Sequence, residues 1–207
     1  MNNSKENILK RIQKGKQSAN LWNNVAEPKH SNFFSKQKQE TLIETFKIAL
    51  EKIDGQLIIA NNKTELQQEL QTLFSAQPIL CIDNDLQNIL TEYEISFSNQ
   101  IDLKSNPMGF MACEFIVARL GSVLTSSALP SGRQANIFPE HQVVFVQKDQ
   151  IVYDIKDALE NIKKKYSTLP SMISFATGPS RTADIEKTLI LGAHGPKMLT
   201  IIYKNFD

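Results

Sequence analysis

Cysteine is scarce in this chain: the 207 residues include only Cys81 and Cys113, and the two do not form a Cys-x-x-Cys pair. An iron–sulfur cluster or a zinc site built by this chain alone is therefore not expected. Both cysteines have apolar neighbours, which indicates buried, reduced thiols of a cytoplasmic protein. The three histidines, His30, His141 and His194, show no metal-ligand spacing, so we expect no bound metal and no cofactor.

Long apolar runs and an excess of charge are also missing. No stretch approaches the roughly 20 apolar residues that span a bilayer, and the N-terminus lacks the apolar run of a secretory signal. The formal net charge is +1, so the sequence gives no sign of electrostatic steering toward nucleic acid or a membrane surface. We therefore expect a cytoplasmic protein that binds neither nucleic acid nor membranes.

Three common site motifs are absent from the sequence. It contains no Gly-x-Ser-x-Gly and no Gly-x-Gly-x-x-Gly, and no lysine follows its Thr-Gly-Pro-Ser turn in the Walker frame. A serine hydrolase, a dinucleotide-binding Rossmann enzyme and a P-loop nucleotidase therefore have no support.

Alternating apolar segments predict an α/β fold with a mostly parallel sheet flanked by helices. Apolar residues at helical spacing predict a helix over 36–53. Residues 57–97 then predict strand, helix, strand, helix and a final strand at 94–97, which is typical of a parallel sheet covered by helices. We expect two parts: an N-terminal helical extension and linker at 1–35, and the α/β domain at 36–207.

Further elements are predicted in the rest of the chain. A weak, lysine-rich amphipathic helix is expected at 4–19, and Thr64 with Gln67 predicts a capping box for the helix that follows it. Asp83 or Asn84 is predicted to cap the next short helix, which ends at Leu90. The apolar run at 110–119 predicts a helix, and residues 154–166 predict another. Additional strands are predicted at 121–125, 142–146, 172–176 and 198–203. Residues 151–153 either pair with the strand at 142–146 or lead into the helix at 154–166.

The densest concentration of glycine, proline, hydroxyl and charged residues begins at Thr177 and ends at Pro196. It follows a predicted strand, and ligand sites of α/β proteins form in loops at the carboxyl ends of strands. A Thr-Gly-Pro-Ser turn is either ordinary chain reversal or part of such a site. Hydroxyl groups, glycine and a guanidinium suit a small anion. The candidate ligand contacts are Thr177, Gly178, Ser180, Arg181, Thr182 and, in a separate turn, Arg133.

Four side chains are candidates for acid–base or nucleophilic chemistry: Glu114, Asp184, Glu186 and His194. Glu114 is either on a solvated helix face or in a cleft that raises its pKa. Asp184 and Glu186 share one face if they lie on a strand and diverge on a helix; either carboxylate could also pair with Arg181 and only fix the loop. His194 is either a turn residue or a general acid–base group.

The run from Thr177 to Glu186, Thr-Gly-Pro-Ser-Arg-Thr-Ala-Asp-Ile-Glu, and the following Leu-Gly-Ala-His-Gly-Pro at 191–196 closely resemble the C-terminal signature of the lactate-utilisation protein C family, also called the LUD domain family. Upstream, residues 117–124 resemble a second family segment, in which Arg119-Leu120 replaces the family's Glu-Thr. Glu114 resembles another family position that often carries glutamate.

The resemblance covers about residues 36–204 and implies a fold like that of sugar-phosphate isomerases, glucosamine-6-phosphate deaminases, CoA transferases and formyltetrahydrofolate cyclo-ligases. It also implies a role in oxidising L-lactate to pyruvate beside two partners that carry iron–sulfur clusters. We therefore expect a non-redox component that binds a small anionic metabolite and those iron–sulfur proteins. The alternatives are a scaffold with a relic pocket, or a stand-alone enzyme of the related fold. Such an enzyme would act on a phosphorylated or CoA-linked molecule, with Glu114 or Asp184 as base or nucleophile.

Overall fold

The computed structural model describes residues 3–18, 39–75, 79–100, 108–183, 189–192 and 194–207. Contacts between Cα atoms divide the chain into two units, residues 1–35 and 36–207. In the first unit, helix α1 spans Asn3–Ser18, where the sequence predicts a helix. Its apolar side chains Ile8, Leu9 and Ile12 are exposed. In the described part of the chain, no helix is long and apolar enough to cross a membrane.

The second unit contains four helices and eleven strands among its described residues. In chain order they are α2 (Gln39–Glu51), β1 (Gln56–Ala60), α3 (Lys63–Phe74), β2 (Ile79–Leu80), α4 (Asn84–Glu92), β3 (Met108–Ala112), β4 (Phe115–Val117), β5 (Ser122–Ser126), β6 (His141–Gln147), β7 (Ile151–Val152), α5 (Ile155–Lys165), β8 (Ile173–Ala176), β9 (Arg181–Ala183), β10 (Leu189–Leu191) and β11 (Met198–Lys204).

A five-stranded parallel sheet, in the order β1-β11-β6-β3-β2, lies at the centre of this unit. Strand β6 shows how both faces are covered. Val144 and Val146 pack in one core cluster with Phe46 of α2, whereas Val143 and Phe145 pack in another with side chains of α3 and α4. Successive strand residues point to opposite faces, so a strand buried on both sides is apolar throughout. The predicted α/β fold is confirmed.

A second, four-stranded sheet in the order β7-β4-β5-β8 packs against α5. Strand β5 is antiparallel to both β4 and β8, and β7 is parallel to β4. Strands β9 and β10 form a separate antiparallel hairpin. Residues 151–153 were predicted either to pair with β6 or to lead into a helix. Strand β7 pairs with β4 instead, and helix α5 does follow it.

The predicted helix at 110–119 is wrong. The chain there forms β3 and β4, which belong to different sheets and are separated by Cys113 and Glu114. Nearly every residue from Met108 to Ala118 is buried. A continuous apolar run has no periodicity that separates a buried strand from a buried helix, and here the strand pairing decides the structure.

The predicted strand at 94–97 is also wrong. Glu94 has a φ of 57°, a left-handed conformation that ends helices. The N–H of Ile95 donates to the carbonyl of Leu90 at 2.8 Å, so this segment closes α4. Only a single parallel bridge, between Leu80 and Ser98, links it to the sheet among the described residues.

The helix caps are partly as predicted. Helix α3 does not begin with a Thr64–Gln67 box, because Asn62 caps it by accepting from the N–H of Glu65 at 2.9 Å. The Glu65 carboxylate in turn accepts from the N–H of Asn61 at 2.8 Å. The capping interaction is therefore displaced by two residues from the predicted position. Asp83 was one of two predicted caps for α4, and it is the cap observed.

The two cysteines are buried and free, as the sequence predicts. Burial raises the pKa of Cys81 to about 12, and the nearby Asp83 carboxylate adds to this rise. Burial raises the pKa of Cys113 as well. Both thiols are therefore protonated at neutral pH and unreactive as nucleophiles.

Candidate functional site

The two turns of the sequence signature are neighbours in the structure. The N–H of Ser180 donates to the carbonyl of Pro196 at 2.8 Å, and the N–H of Gly192 donates to the carbonyl of Ser180 at 2.9 Å. The Thr-Gly-Pro-Ser turn, the β9–β10 hairpin and the His-Gly-Pro turn thus form one surface. We call residues 177–183, 189–192 and 194–197 the signature cluster.

Ligand sites of α/β proteins usually form at the carboxyl ends of the parallel strands. The signature cluster lies instead at the opposite edge of the central sheet. It begins at the carboxyl end of β8, a strand of the smaller sheet, and its last turn enters the amino end of β11. The N–H groups of Lys197 and Met198 both donate to the carbonyl of Glu140, just before β6, at 2.7 and 3.1 Å. Relative to the five parallel strands, the cluster therefore occupies the amino-terminal edge.

Two glycines bring the signature cluster and the upstream family-like segment against the end of α2. A Cβ on Gly178 would lie 2.6 Å from the carbonyl oxygen of Ile53, and a Cβ on Gly121 would lie 2.6 Å from the nitrogen of Leu50. Both glycines have positive φ, 79° and 64°, a conformation that favours glycine. Gly178 therefore permits a close approach to the protein's own helix.

A hydroxyl pair joins the same two segments directly. The Oγ of Ser122 and the Oγ1 of Thr177 are 2.8 Å apart and share a hydrogen bond. Ser122 is in the segment that resembles the second family motif, and Thr177 opens the signature cluster. The fold therefore assembles both motifs at one place, although 55 residues separate the two hydroxyl groups in the chain.

Arg181 of the signature cluster forms an ion pair with Asp54, the residue that follows α2 and Ile53. The Nη2 of Arg181 donates to the Oδ2 of Asp54. The guanidinium side chain is 35% exposed and the carboxylate side chain 78% exposed. From the sequence, Arg181 is expected to bind an external anion or to pair with Asp184 or Glu186, and Asp54 is not among the expected partners.

A second cation of the signature cluster, Lys197, was also missed. Its Nζ lies 3.0 Å from the Oε1 of Glu140 in an exposed ion pair, and its aliphatic stem lies against Gly192. Lys197 directly follows the His-Gly-Pro turn. Its place directly after this turn is the feature of the sequence from which Lys197 could have been identified. In the described structure both cations of this cluster are therefore paired with carboxylates from outside it.

The remaining signature candidates have simple positions. Ser180 is half-buried, Thr182 lies in β9 opposite Ile190, and His194 is exposed in the turn before β11. Asp184 and Glu186 lie outside the described residues. The predicted catalytic and binding roles of all these side chains stay predictions.

Glu114 lies in a second polar cluster, between β3 and β4. Its side chain is fully buried and pairs with Lys165 at 2.7 Å. Its Oε1 accepts hydrogen bonds from Ser126 at 2.5 Å and Tyr166 at 2.8 Å. Among the described residues, no hydrogen bond or ion pair joins Glu114 to the signature cluster.

The environment of Glu114 matches neither of the two expected ones. Burial alone would raise its pKa, but the hydrogen bonds from Lys165, Ser126 and Tyr166 outweigh burial, and the pKa is lowered from its usual value. The expected raised pKa is therefore wrong, because three donors stabilise the charged form. A carboxylate held in this way is a weak base.

The other two arginines singled out from the sequence also have partners. The Nη2 of Arg133 donates to the Oγ of Ser171 at 2.9 Å. Arg119, of the segment that resembles the second family motif, makes a two-pronged contact with Asp154 at 3.1 and 2.9 Å. These hydrogen bonds lower the pKa of Asp154, which caps α5. Arg119 therefore fixes the start of this helix.

Potential metal ligands are not clustered in the part of the chain that the structure describes. Within that part, no group of three or more histidine, cysteine, aspartate or glutamate side chains is placed to hold a metal ion. The donors that surround the Thr-Gly-Pro-Ser turn are instead the Arg181 guanidinium and hydroxyl groups, which suit an anion.

Comparison with known proteins places these segments in a family. Lactate utilization protein C of Oceanobacillus iheyensis is 26% identical over 177 residues, which cover 84% of this chain and 73% of that protein. The protein of the same name from Bacillus subtilis is 35% identical over 92 residues, or 43% of this chain and 38% of its own length.

A solved structure shows the same fold. The crystal structure of a DUF162 family protein from Deinococcus radiodurans matches 82% of this chain and 99% of its own chain, with a TM-score of 0.59 and 12% identity. The LUD domain model matches residues 94–203. This match takes in more than half of the chain, including both turns of the signature cluster and the segment that Ser122 joins to it. The chain therefore belongs to the LUD domain family.

Proposed function

We propose that this protein is a component of a lactate-utilisation system, in which it binds a small anionic metabolite and acts with iron–sulfur partner proteins. The observation that carries the proposal is its similarity to relatives named lactate utilization protein C. Two of them align with 84% and 82% of this chain, so the similarity extends over most of the chain.

The chemistry of the signature cluster supports an anionic ligand. Arg181 supplies positive charge at the surface, and Ser180 and Thr182 supply hydroxyl groups close to it in the chain. Charge-assisted hydrogen bonds of this kind are the strong ones in carboxylate recognition. Lactate is a small carboxylate with one hydroxyl group, so its size and charge suit such donors.

A non-redox role for this component fits the cysteines. Cys81 and Cys113 are buried thiols with raised pKa values, and thiolates are what iron–sulfur clusters require. In the proposed system, the electrons released by lactate oxidation pass to clusters in the partner proteins. This chain would contribute the anion site and a docking surface.

The test is co-purification from native cells grown on L-lactate. Affinity-tagged protein should recover proteins that contain iron–sulfur clusters, identified by mass spectrometry and by their iron content. The control is the same purification from cells grown without lactate. Repeated recovery of the tagged protein alone, from lactate-grown cells, would contradict the proposed partners.

A further inference from the structure

We infer that Asp54 is an internal carboxylate that occupies Arg181 until the carboxylate of a ligand displaces it. The inference rests on the proposed anion site and deepens it in two ways. It names the class of ligand as a small carboxylate, and it assigns to Asp54, which no sequence motif includes, control over the affinity.

The backbone of Asp54 is fixed at the end of α2. Its N–H donates to the carbonyl of Glu51 at 3.1 Å, and the next N–H, of Gly55, donates to the carbonyl of Leu50 at 3.0 Å. The φ of Asp54 is 59°. Ile53, directly before it, contacts Gly178 of the signature cluster. The Asp54 carboxylate is thus presented to Arg181 by a rigid helix end.

The exposure of the two side chains indicates that the pair can be opened. The Asp54 side chain is 78% exposed and the Arg181 side chain 35% exposed. Ion pairs between exposed side chains are weak, so the pair opens at a small cost in free energy and an external carboxylate displaces Asp54 at a modest loss of affinity. Because the Asp54 carboxylate must leave first, the ligand binds only the fraction of molecules in which Arg181 is free. The apparent affinity is lowered in proportion to that fraction.

The contact also indicates what the site accepts. The Asp54 carboxylate shows that Arg181 can bind a carboxylate group in this position. A singly charged, planar carboxylate reproduces that contact, and the guanidinium fork matches its geometry. Because the guanidinium fork matches phosphate as well as carboxylate, it is the observed pairing with Asp54 that favours a carboxylate ligand.

The neighbouring Lys197–Glu140 pair provides a matched control. Its carboxylate is also exposed, at 62%, and pairs with the other cation of the signature cluster. Asp54→Asn and Glu140→Gln each remove one negative charge from the edge of the same cluster. Only Asp54→Asn removes it from Arg181. Asparagine also tolerates the left-handed backbone of position 54 better than most residues.

The experiment is calorimetric titration of L-lactate and of inorganic phosphate into the wild type, Asp54→Asn, Glu140→Gln, Arg181→Ala and the Asp54→Asn/Arg181→Ala double variant. We expect Asp54→Asn to tighten lactate binding about two- to fivefold, in keeping with the weakness of an exposed ion pair. The gain should vanish in the double variant and should be absent in Glu140→Gln. Asp54→Gly, which suits the positive φ, replaces Asp54→Asn if the latter does not fold.

The outcomes separate this inference from the proposed function. Equal lactate affinities for the wild type and Asp54→Asn, with binding lost in Arg181→Ala, would overturn the role of Asp54 and leave the anion site in place. If Glu140→Gln tightened lactate binding as much as Asp54→Asn, the loss of one negative charge would explain both results, and the inference would be overturned. Tightening for phosphate alone would refute the carboxylate class, and no binding by any variant would overturn both proposals.

Discussion

At the scale of single residues, Glu114 shows how partners decide what a carboxylate does. A buried carboxylate without partners would have a raised pKa and could serve as a base. Glu114 is buried but accepts hydrogen bonds from Lys165, Ser126 and Tyr166, and its pKa is lowered. It therefore ties the β3–β4 connection to β5 and to the end of α5.

Glu114→Gln should lower the free energy of unfolding by about 1–3 kcal/mol near pH 7, because Lys165 loses its buried partner and a charged hydrogen bond is lost. The lowered pKa of Glu114 means that its contribution is present above the unfolded pKa of about 4.3 and is lost as pH falls through the folded pKa. The difference between wild type and Glu114→Gln should therefore shrink on acidification. Urea unfolding at a series of pH values measures it.

Glu160→Gln is the control for this prediction. Glu160 pairs with Lys156 in an exposed i,i+4 contact at 3.8 Å, and such pairs are worth about 0.3–0.5 kcal/mol. Its effect should be small. A difference for Glu114→Gln as small as that for Glu160→Gln would contradict the structural role of Glu114.

Part of the candidate site was accessible from the sequence and part was not. Arg181, Ser180 and His194 stand out because the signature is a local run of unusual composition. Asp54 is 127 residues away from Arg181, and Glu140 is 57 residues away from Lys197. Nothing in the sequence distinguishes Asp54 or Glu140 from other acidic residues. Only the fold brings them next to Arg181 and Lys197.

At the scale of elements, the end of α2 positions the signature cluster. Gly121 and Gly178 bring chain segments from two parts of the small sheet against the last turn of α2 and Ile53. A larger residue at Gly178 would both strain the backbone and meet the carbonyl of Ile53. The position of the signature cluster therefore depends on the contact between Gly178 and Ile53, which contains no charged group.

Gly178→Ala should destabilise the protein by more than the roughly 1–2 kcal/mol that a left-handed conformation costs an ordinary residue, because a clash with Ile53 adds to it. Gly132→Ala is the matched control. Gly132 also has a positive φ, of 55°, but a Cβ there would meet no described atom within 4 Å. Thermal unfolding of both variants measures the difference, and equal losses would contradict the proposed contact at Ile53.

The elements that were predicted correctly are those with clear periodicity or clear ends. Helix α2 shows apolar residues at helical spacing, β6 is an apolar run with polar ends, and β11 is a mostly apolar run that ends at Lys204. The segment at 110–119 failed because β3 and β4 are buried on both faces and carry no period. The segment at 94–97 failed because a left-handed Glu94 is not signalled by glycine or asparagine.

At the scale of the whole molecule, the fold combines a parallel sheet with a small mixed sheet, and the family signature joins the two. The signature cluster begins directly after β8 of the small sheet and ends directly before β11 of the central sheet. The general α/β fold was predictable from alternating strands and helices. The division into two sheets was not, because it depends on pairings between distant segments such as β5 with β8.

If this protein serves lactate utilisation through the Arg181 site, the growth of native cells on L-lactate depends on that site. Loss of a charge-assisted contact costs about 1.5–3 kcal/mol, so Arg181→Ala should weaken anion binding roughly tenfold or more. Cells without the gene should grow poorly on L-lactate but normally on pyruvate. The wild-type gene should restore growth, and Arg181→Ala, at the same protein level, should not. Normal growth without the gene, or full rescue by Arg181→Ala, would contradict this role of the site.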